Sequence, residues 1–246
     1  MADPRRKRPR PNERVAPARR RAHDGPQDRS PSYAPVHLAD DVVKELQSTA
    51  RPGKGGILVQ VFSETAAAFA AEDFRRAIEL GEQAKHIALR APSVRELLGL
   101  ALYHTGSWKE AARELAAFRR LAGTTEQNPV MADCFRALHK PERALELCDE
   151  IDREAVAPAV AYEGEIVAAG ALRDMGRIDA AIRRLERLEL EPEQAQEYHL
   201  RAWYVLGDLL ERRGRFTQAR RWFEAISSLD PGLTDAPKRA ERLRSR

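Results

Sequence analysis

The stretch that decides the fold is WYVLGDLLERRG at residues 203–214, continued by RFTQARRWFEAISSLDP at residues 215–231. Apolar residues recur at spacings of three and four, which is the pattern of a helix with one buried face. Gly214 can take the left-handed conformation that ends a helix, and Pro231 closes the second helix because a proline cannot continue it. The stretch therefore predicts two antiparallel helices joined by a short turn, with the small Gly207 allowing the helices to approach closely.

This unit recurs along the chain with a period of about 33 to 38 residues. The second clear copy carries Leu98-Gly99, Gly106 and Ala111 at matching positions. In a further copy Lys140-Pro141 occupies the turn where a glycine is usual. A repeated helical unit of this length predicts a solenoid, in which each copy packs on its neighbours. The predicted repeats span residues 58–91, 92–125, 126–158, 162–195 and 200–233.

These copies resemble the tetratricopeptide repeat (TPR) family, and the chain is also similar to bacterial, actinobacterial-type members with a basic arm before the repeats. The resemblance implies an all-α fold, a right-handed superhelical solenoid of about five helix–turn–helix repeats with a C-terminal capping helix. It further implies a concave groove, lined by the first helix of each repeat, that holds a peptide or a protein segment. The expected function is a non-enzymatic adaptor or scaffold for protein–protein interaction, with a partner of unknown identity.

The flanking segments differ from the repeats in composition. Residues 1–35 hold 7 of the 15 prolines and few bulky apolar side chains, so we expect a disordered, basic Pro/Arg-rich arm. Residues 36–56 predict a short helix and a Gly-rich linker, ahead of the repeat region at 57–233. We expect that helix to dock on the first repeat through Val42, Val43 and Leu46. Residues 234–246 predict a capping helix and a basic tail, as solenoids need at their ends.

Charge is unevenly distributed along the chain. Residues 1–35 carry a net charge of +6, residues 36–211 carry −8, and residues 212–246 carry +6, which returns the total of +4. An acidic body therefore lies between two basic ends. This asymmetry favours partners, or segments of the same chain, of opposite charge.

Helix geometry predicts which side chains line the groove. Residues opposite the buried face of each first helix should point into it. Among these side chains, we predict that four contact the bound segment: Tyr103, Arg136, Arg173 and Tyr204. The full set predicted for the groove is Glu96, Leu100, Tyr103, His104, Asp133, Arg136, Glu163, Ile166, Arg173, Asp174, Arg201, Tyr204 and Asp208.

One familiar ligand of the family is not expected. Some members clamp a C-terminal carboxylate with a set of Asn and Lys side chains. The corresponding positions here hold Phe62, Ala66, Leu97, Glu126 and Val130. The resemblance therefore argues against that clamp and against binding of chaperone tails.

The basic arm leaves three interpretations open. It can act as a solubilising tail, fold back on the acidic body, or make weak contacts with nucleic acid or the ribosome through phosphates. The last gives the alternative function, an RNA- or ribosome-associated factor that uses the arm and the basic C-terminal repeat. The arm residues in question are Arg5, Arg6, Lys7, Arg8, Arg10, Arg19, Arg20 and Arg21.

No catalytic, cofactor or metal motif is recognised in the sequence. The segment RPGKGG at 51–56 lacks the spacing and the Ser/Thr of a phosphate-binding loop. The histidines are isolated from one another, and Cys134 and Cys148 fall in apolar stretches that predict core positions. We expect no cofactor, no metal and no membrane partner. The basic N-terminus has no apolar segment after it, so we expect a cytoplasmic protein.

Overall fold

The computed structural model describes residues 33–34 and 36–245, and this part of the chain is helical without any strand. The all-α repeat fold predicted from the sequence is confirmed. The helices are α1 (Asp40–Thr49), α2 (Gly55–Ala70), α3 (Phe74–Ile87), α4 (Pro92–His104), α5 (Trp108–Ala122), α6 (Asn128–Ala137), α7 (Pro141–Asp149), α8 (Pro158–Asp174), α9 (Ile178–Leu185), α10 (Glu197–Arg212), α11 (Phe216–Leu229) and α12 (Ala236–Arg242), followed by a 3-10 turn at Leu243–Ser245. None of these helices combines the length and the apolar character that crossing a membrane requires.

A left-handed residue marks the turn inside each of five successive helix pairs. The positions are Glu72, Gly106, His139, Gly176 and Gly214, with φ between 57° and 80°. After each of them, the next backbone N–H donates to a carbonyl in the last turn of the first helix, as from Arg215 to Leu210 at 2.9 Å. These bonds satisfy helix-end carbonyls that would otherwise lack a partner. The same backbone turn therefore recurs in all five pairs, with a residue other than glycine in two of them.

The two helices of a pair approach closely where the sequence carries its small residues. A Cβ placed on Gly207 would lie 2.9 Å from the ring of Phe223, and one on Gly99 would lie 2.7 Å from the side chain of Leu115. Both distances are shorter than carbon atoms tolerate, so these glycines are required by the helix packing. Trp203, Leu206, Leu210 and Phe223 are buried between the helices of the last pair, as their spacing predicts.

Both ends of the array are covered by a short helix. At the N-terminal end, Leu46 of α1 is fully buried against Leu58 and Phe62, and the Glu45 carboxylate accepts from the backbone N–H and the hydroxyl of Ser93 at 3.1 and 2.6 Å. α2 begins at Gly55, inside the segment that was expected to be a linker. Gly55 packs against the α1 backbone at Gln47, so this glycine lies at the contact between the two helices.

At the C-terminal end, Arg239 of α12 holds the cap to the last pair. Its guanidinium donates to Asp208 at 2.9 Å and to Glu211 at 2.6 Å, and it lies 4.4 Å from the ring centroid of Phe223. Burial alone would lower the pKa of Arg239, but its hydrogen bonds to these carboxylates outweigh burial and raise that pKa. The guanidinium therefore stays charged, and its ion pairs with Asp208 and Glu211 hold α12 over the end of the apolar core.

Two buried glutamates tie neighbouring helices together inside the array. Glu114 of α5 is 1% exposed and bonds Lys85 of α3 at 3.2 Å and Arg95 of α4. Glu165 of α8 is 3% exposed and accepts from Arg184 of α9 at 2.5 Å. Burial would raise the pKa of Glu114, but the bond from Arg95 and the two cationic charges overcome it and lower that pKa. Glu114 is therefore an ionised link between the first two repeats.

Candidate functional site

A groove of about 590 Å³ opens across the first helices of four successive pairs, and we call it the first-helix groove. It receives side chains from α4, from the loop before α6, and from α6, α8 and α10. The lining residues are Tyr103, His104, Glu126, Gln127, Pro129, Val130, Ala159, Val160, Glu163, Glu197, Tyr198 and Arg201.

Aromatic and branched side chains give this groove an apolar lining. Tyr103 is held in place because its hydroxyl donates to Asp133 at 2.8 Å and its ring packs edge-on against Trp108. Burial, together with that hydrogen bond to the Asp133 carboxylate, raises the pKa of Tyr103. At the other end, the Tyr198 ring lies 4.8 Å from that of Tyr162. Two fixed aromatic rings therefore bound the lining, with Val130 and Val160 as further apolar surface.

The charges in the groove are mostly negative. Glu126 and Glu197 form no ion pair within the described part of the chain, whereas Glu163 pairs with Arg201 at 3.0 Å. Burial raises the pKa of Glu163, although the charge of Arg201 opposes that shift. Three carboxylates face a single guanidinium here, so the groove is suited to a ligand that carries positive charge and apolar side chains.

Four of the thirteen residues predicted for the groove line it together, namely Tyr103, His104, Glu163 and Arg201. Glu96 lies beside it, because its carboxylate accepts from Gln127 at 2.8 Å. His104 also stacks on Phe74 of the first pair, with ring centroids 4.3 Å apart. These residues come from three different repeats, and they lie close together because the first helices pack side by side in the array.

Arg136 joins two repeats instead of lining the groove. Its guanidinium bonds Asp133 at 2.7 Å and Asp174 at 2.9 Å. It also lies over Gly170, where a Cβ would approach the guanidinium carbon to 2.6 Å. Arg173 bonds Asp174 on its own helix at 3.1 Å. Arg136 therefore holds α6 against α8, and neither arginine belongs to the lining of the groove.

The remaining predicted residues lie in packing or in the cap. Leu100 and Ile166 are partly buried against the apolar core. Tyr204 donates to Asp235 at 2.8 Å, and Arg239 lies 5.4 Å from its ring centroid. Asp208 accepts from Arg212 at 2.7 Å and from Arg239. The structure thus places the pair Tyr103 and Tyr204 in different settings, one in the groove and one under the capping helix.

Most lining residues that the sequence did not suggest belong to the first turns of the first helices. Ala159 and Val160 follow the start of α8 at Pro158, and Glu197 and Tyr198 open α10. The predicted repeats begin at 162 and 200, where the family signature becomes recognisable. The Pro at the first position of α8 is the signal that would have extended that helix.

Two observations on the described residues concern metal binding and thiol chemistry. No cluster of three or more His, Cys, Asp or Glu side chains among them could hold a metal ion. Cys134 and Cys148 are buried as predicted, and burial raises the pKa of each thiol to about 12. Neither cysteine therefore supplies a thiolate at neutral pH.

The basic ends of the chain contribute differently. The eight arm residues from Arg5 to Arg21 lie outside the described residues. In the last repeat, arginines pair with carboxylates, as Arg213 does with Asp179 at 2.8 Å and Arg242 with Glu211 at 2.7 Å. Arginines that are paired in this way are less available to phosphates.

Comparison with known proteins finds one family match within the repeat region and similar folds among solved structures. Residues 167–233 match the model of the tetratricopeptide repeat. No curated protein sequence matches the chain. The solved structure of TTC0263, a TPR protein of Thermus thermophilus, shares 18% identity and a TM-score of 0.57, over 77% of this chain and 100% of that one.

A second solved structure shows the same fold. It is a candidate kinesin light chain from Podospora anserina with nearly identical TPR-like repeats, at 16% identity and a TM-score of 0.55, over 72% of this chain and 97% of that one. Identities this low establish the fold alone. The described part of the chain therefore has the fold of tetratricopeptide repeat proteins, and residues 167–233 match the family's model.

Proposed function

We propose that this protein is a non-enzymatic adaptor that holds a short, cationic and apolar segment of a partner protein in the first-helix groove. The observation that carries the proposal is the groove itself, about 590 Å³ between the first helices of four repeats. TPR-fold proteins are protein-interaction adaptors, which supports this class of function for a groove in this position. The proposal specifies the partner by the charge and the apolar character of the segment that is bound.

The chemistry of the segment follows from the lining. Tyr103, Tyr198, Val130 and Val160 offer apolar surface to anchor side chains. Aromatic side chains at fixed positions bind ligands with a small loss of conformational entropy. The carboxylates of Glu126, Glu163 and Glu197 favour Lys or Arg beside those anchors, and they disfavour an acidic segment by like-charge repulsion.

A selection experiment tests the proposal with random peptides in place of the partner. A displayed library of random twelve-residue peptides is selected on the immobilised full chain, and affinities of the selected peptides are measured by fluorescence anisotropy. We expect peptides with Lys or Arg next to apolar residues. The triple variant Glu126→Gln, Glu163→Gln, Glu197→Gln should weaken their binding about tenfold, or ~1.4 kcal/mol.

The matched control removes the same number of charges elsewhere. Glu110, Glu142 and Glu154 are exposed and lie outside the groove, so their triple Gln variant should bind the peptides within about twofold of wild type. Equal losses in both triple variants would mean that only the net charge matters, and the groove would not be the site.

The basic arm can compete for the same groove. Residues 1–35 carry a net charge of +6, and the groove carries unpaired carboxylates. Removal of residues 1–35 should then tighten peptide binding at low salt and have a smaller effect at high salt. An unchanged affinity at low salt would exclude this internal competition and leave the groove proposal intact.

A further inference from the structure

A second groove lies on the other side of the repeats and has the opposite charge. It is formed between α5 and α7, encloses about 740 Å³, and we call it the second-helix groove. Its walls carry six cationic side chains and, among the described residues, no acidic side chain lines it. The cations are Lys109, Arg113, Arg119, Arg120, Lys140 and Arg143.

The floor of this groove is apolar. It includes Met131 and Phe135 of α6, together with Leu138 just beyond that helix and Leu147 of α7. Met131 and Leu147 are buried, whereas Phe135 and Leu138 are partly exposed. A concavity of about 740 Å³ with an apolar floor and charged side chains on its walls falls within the range of ligand-binding pockets.

The geometry of the groove indicates its length. Lys109, Arg113, Ala116 and Arg120 lie at spacings of four, three and four on α5, so they form one stripe along that helix. From Lys109 to Arg120 the helix rises about 16 Å, at ~1.5 Å for each of the steps between successive residues. The opposite wall carries Lys140 and Arg143. The groove therefore accommodates about three turns of a further helix laid along α5.

Several of these cations lack a partner within the described structure. Lys109, Arg120 and Lys140 form no ion pair there, whereas Arg119 pairs with Glu150 at 2.5 Å and Arg143 with Glu146 at 2.6 Å. Three free cations on two walls attract a ligand with negative charge along both of its edges. A fatty acid has one charge at one end, so it matches this distribution poorly.

We propose that the second-helix groove binds an acidic amphipathic helix of a partner protein. The apolar stripe of that helix packs on Phe135 and Leu138, and its Glu or Asp residues on both flanks reach Lys109, Arg120 and Lys140. This is the helix-in-groove mode of recognition, with anchors at helical spacing. The site is independent of the first-helix groove, so each can be lost without the other.

The test selects ligands for this groove. A displayed library of random sixteen-residue peptides is selected on the full chain, with counter-selection on the variant Lys109→Glu, Lys140→Glu. We expect acidic peptides with apolar residues at spacings of three and four. Their affinity, measured by fluorescence anisotropy, should fall at least tenfold in that variant and in Ala116→Glu, which fills the groove.

The control reverses two exposed cations away from the groove. Arg75→Glu, Arg90→Glu makes the same change in net charge and should alter the affinity less than twofold. Melting curves of all variants should coincide with that of wild type, because the substituted side chains are exposed. If no selected peptide depends on Lys109 and Lys140, the proposal is wrong.

Three other occupants are distinguished in the same assay. A twelve-nucleotide single strand or sodium oleate that displaces the acidic peptide at equal concentration would assign the groove to nucleic acid or to a fatty acid. Self-association that is abolished by Lys109→Glu, Lys140→Glu in sedimentation velocity would assign it to a second copy of the chain. Each of these results would overturn the acidic helix as the ligand.

Discussion

The two grooves share one helix and differ in charge. In α6, Val130 lines the first-helix groove, and the next residue, Met131, lines the second-helix groove. Glutamates surround the first groove, whereas lysines and arginines surround the second. The repeat fold fixes only the buried stripe of each helix, so the two exposed faces are free to carry unrelated charges. One array can therefore offer two sites of opposite preference.

The largest expected effect comes from the buried Glu114, which links α3, α4 and α5. Glu114→Gln leaves Lys85 and Arg95 without their buried partner, so we expect a loss of about 3 kcal/mol in the free energy of unfolding. Denaturant unfolding at pH 7 measures it, with the exposed Glu110→Gln on the same helix as control. A loss below ~1 kcal/mol would show that the cluster contributes little.

The pH dependence of that loss follows from the pKa of Glu114. Burial opposes ionisation, but the bonds from Arg95 and Lys85 prevail and lower this pKa in the folded chain, so the contribution of Glu114 is complete above the ordinary pKa of a glutamate. It disappears as the pH falls through the lowered pKa. The difference in the free energy of unfolding between wild type and Glu114→Gln should thus be largest at pH 7. It should disappear under acid conditions.

The next effect separates the two grooves by function. The triple Gln variant of Glu126, Glu163 and Glu197 should weaken the cationic peptide about tenfold, or ~1.4 kcal/mol, and leave the acidic peptide unchanged. The variant Lys109→Glu, Lys140→Glu should weaken binding of the acidic peptide and leave binding of the cationic peptide unchanged. Anisotropy titrations of both peptides with both variants measure whether each variant weakens only its own peptide. If either variant weakens both peptides equally, the two grooves are not separate sites.

A smaller effect concerns the turn between α6 and α7, which borders the second-helix groove through Leu138 and Lys140. His139 has a φ of 57°, a left-handed conformation that costs a residue with a Cβ about 1 kcal/mol relative to glycine. His139→Gly should therefore stabilise the chain by up to ~1 kcal/mol. Gly214→Ala, at the matching turn with φ of 80°, should destabilise it, and thermal melting compares the two.

Most of the fold could be predicted from the sequence. The Leu-Gly and Gly-turn pattern at 98–106 and 206–214 gives both the helix pairs and their close packing, because only a small residue fits at Gly99 and Gly207. The turn at His139 was harder to recognise, since its left-handed residue is not a glycine. The same left-handed turn forms there with a histidine in the place of the glycine.

The candidate sites could be predicted less completely. Tyr103 and Glu163 followed from helix phase, but the first turns of α8 and α10 lie before the recognisable signature. Arg136 looked available in the sequence and is held over Gly170 between two aspartates. The second-helix groove depends on the distance between α5 and α7, and no spacing along the chain encodes that distance.

The smallest predicted effect is the pH dependence of binding in the first-helix groove. Burial raises the pKa of Glu163, so its negative charge is lost at a higher pH than that of an ordinary glutamate. The affinity for a cationic peptide should fall a few-fold on acidification from neutral pH, beginning above the usual glutamate range. Glu163→Gln should remove that part of the dependence. A profile identical in wild type and variant would contradict this role of Glu163.

The most direct measurement of the groove assignment is methyl NMR of the full chain during titration with a selected cationic peptide. If the first-helix groove holds it, the methyl resonances of Val130 and Val160 shift with the titration, while those of Met131 and Leu138 keep their positions. Shifts at Met131 and Leu138, or saturable binding that leaves Val130 and Val160 unmoved, would contradict the assignment of the first-helix groove as the peptide site.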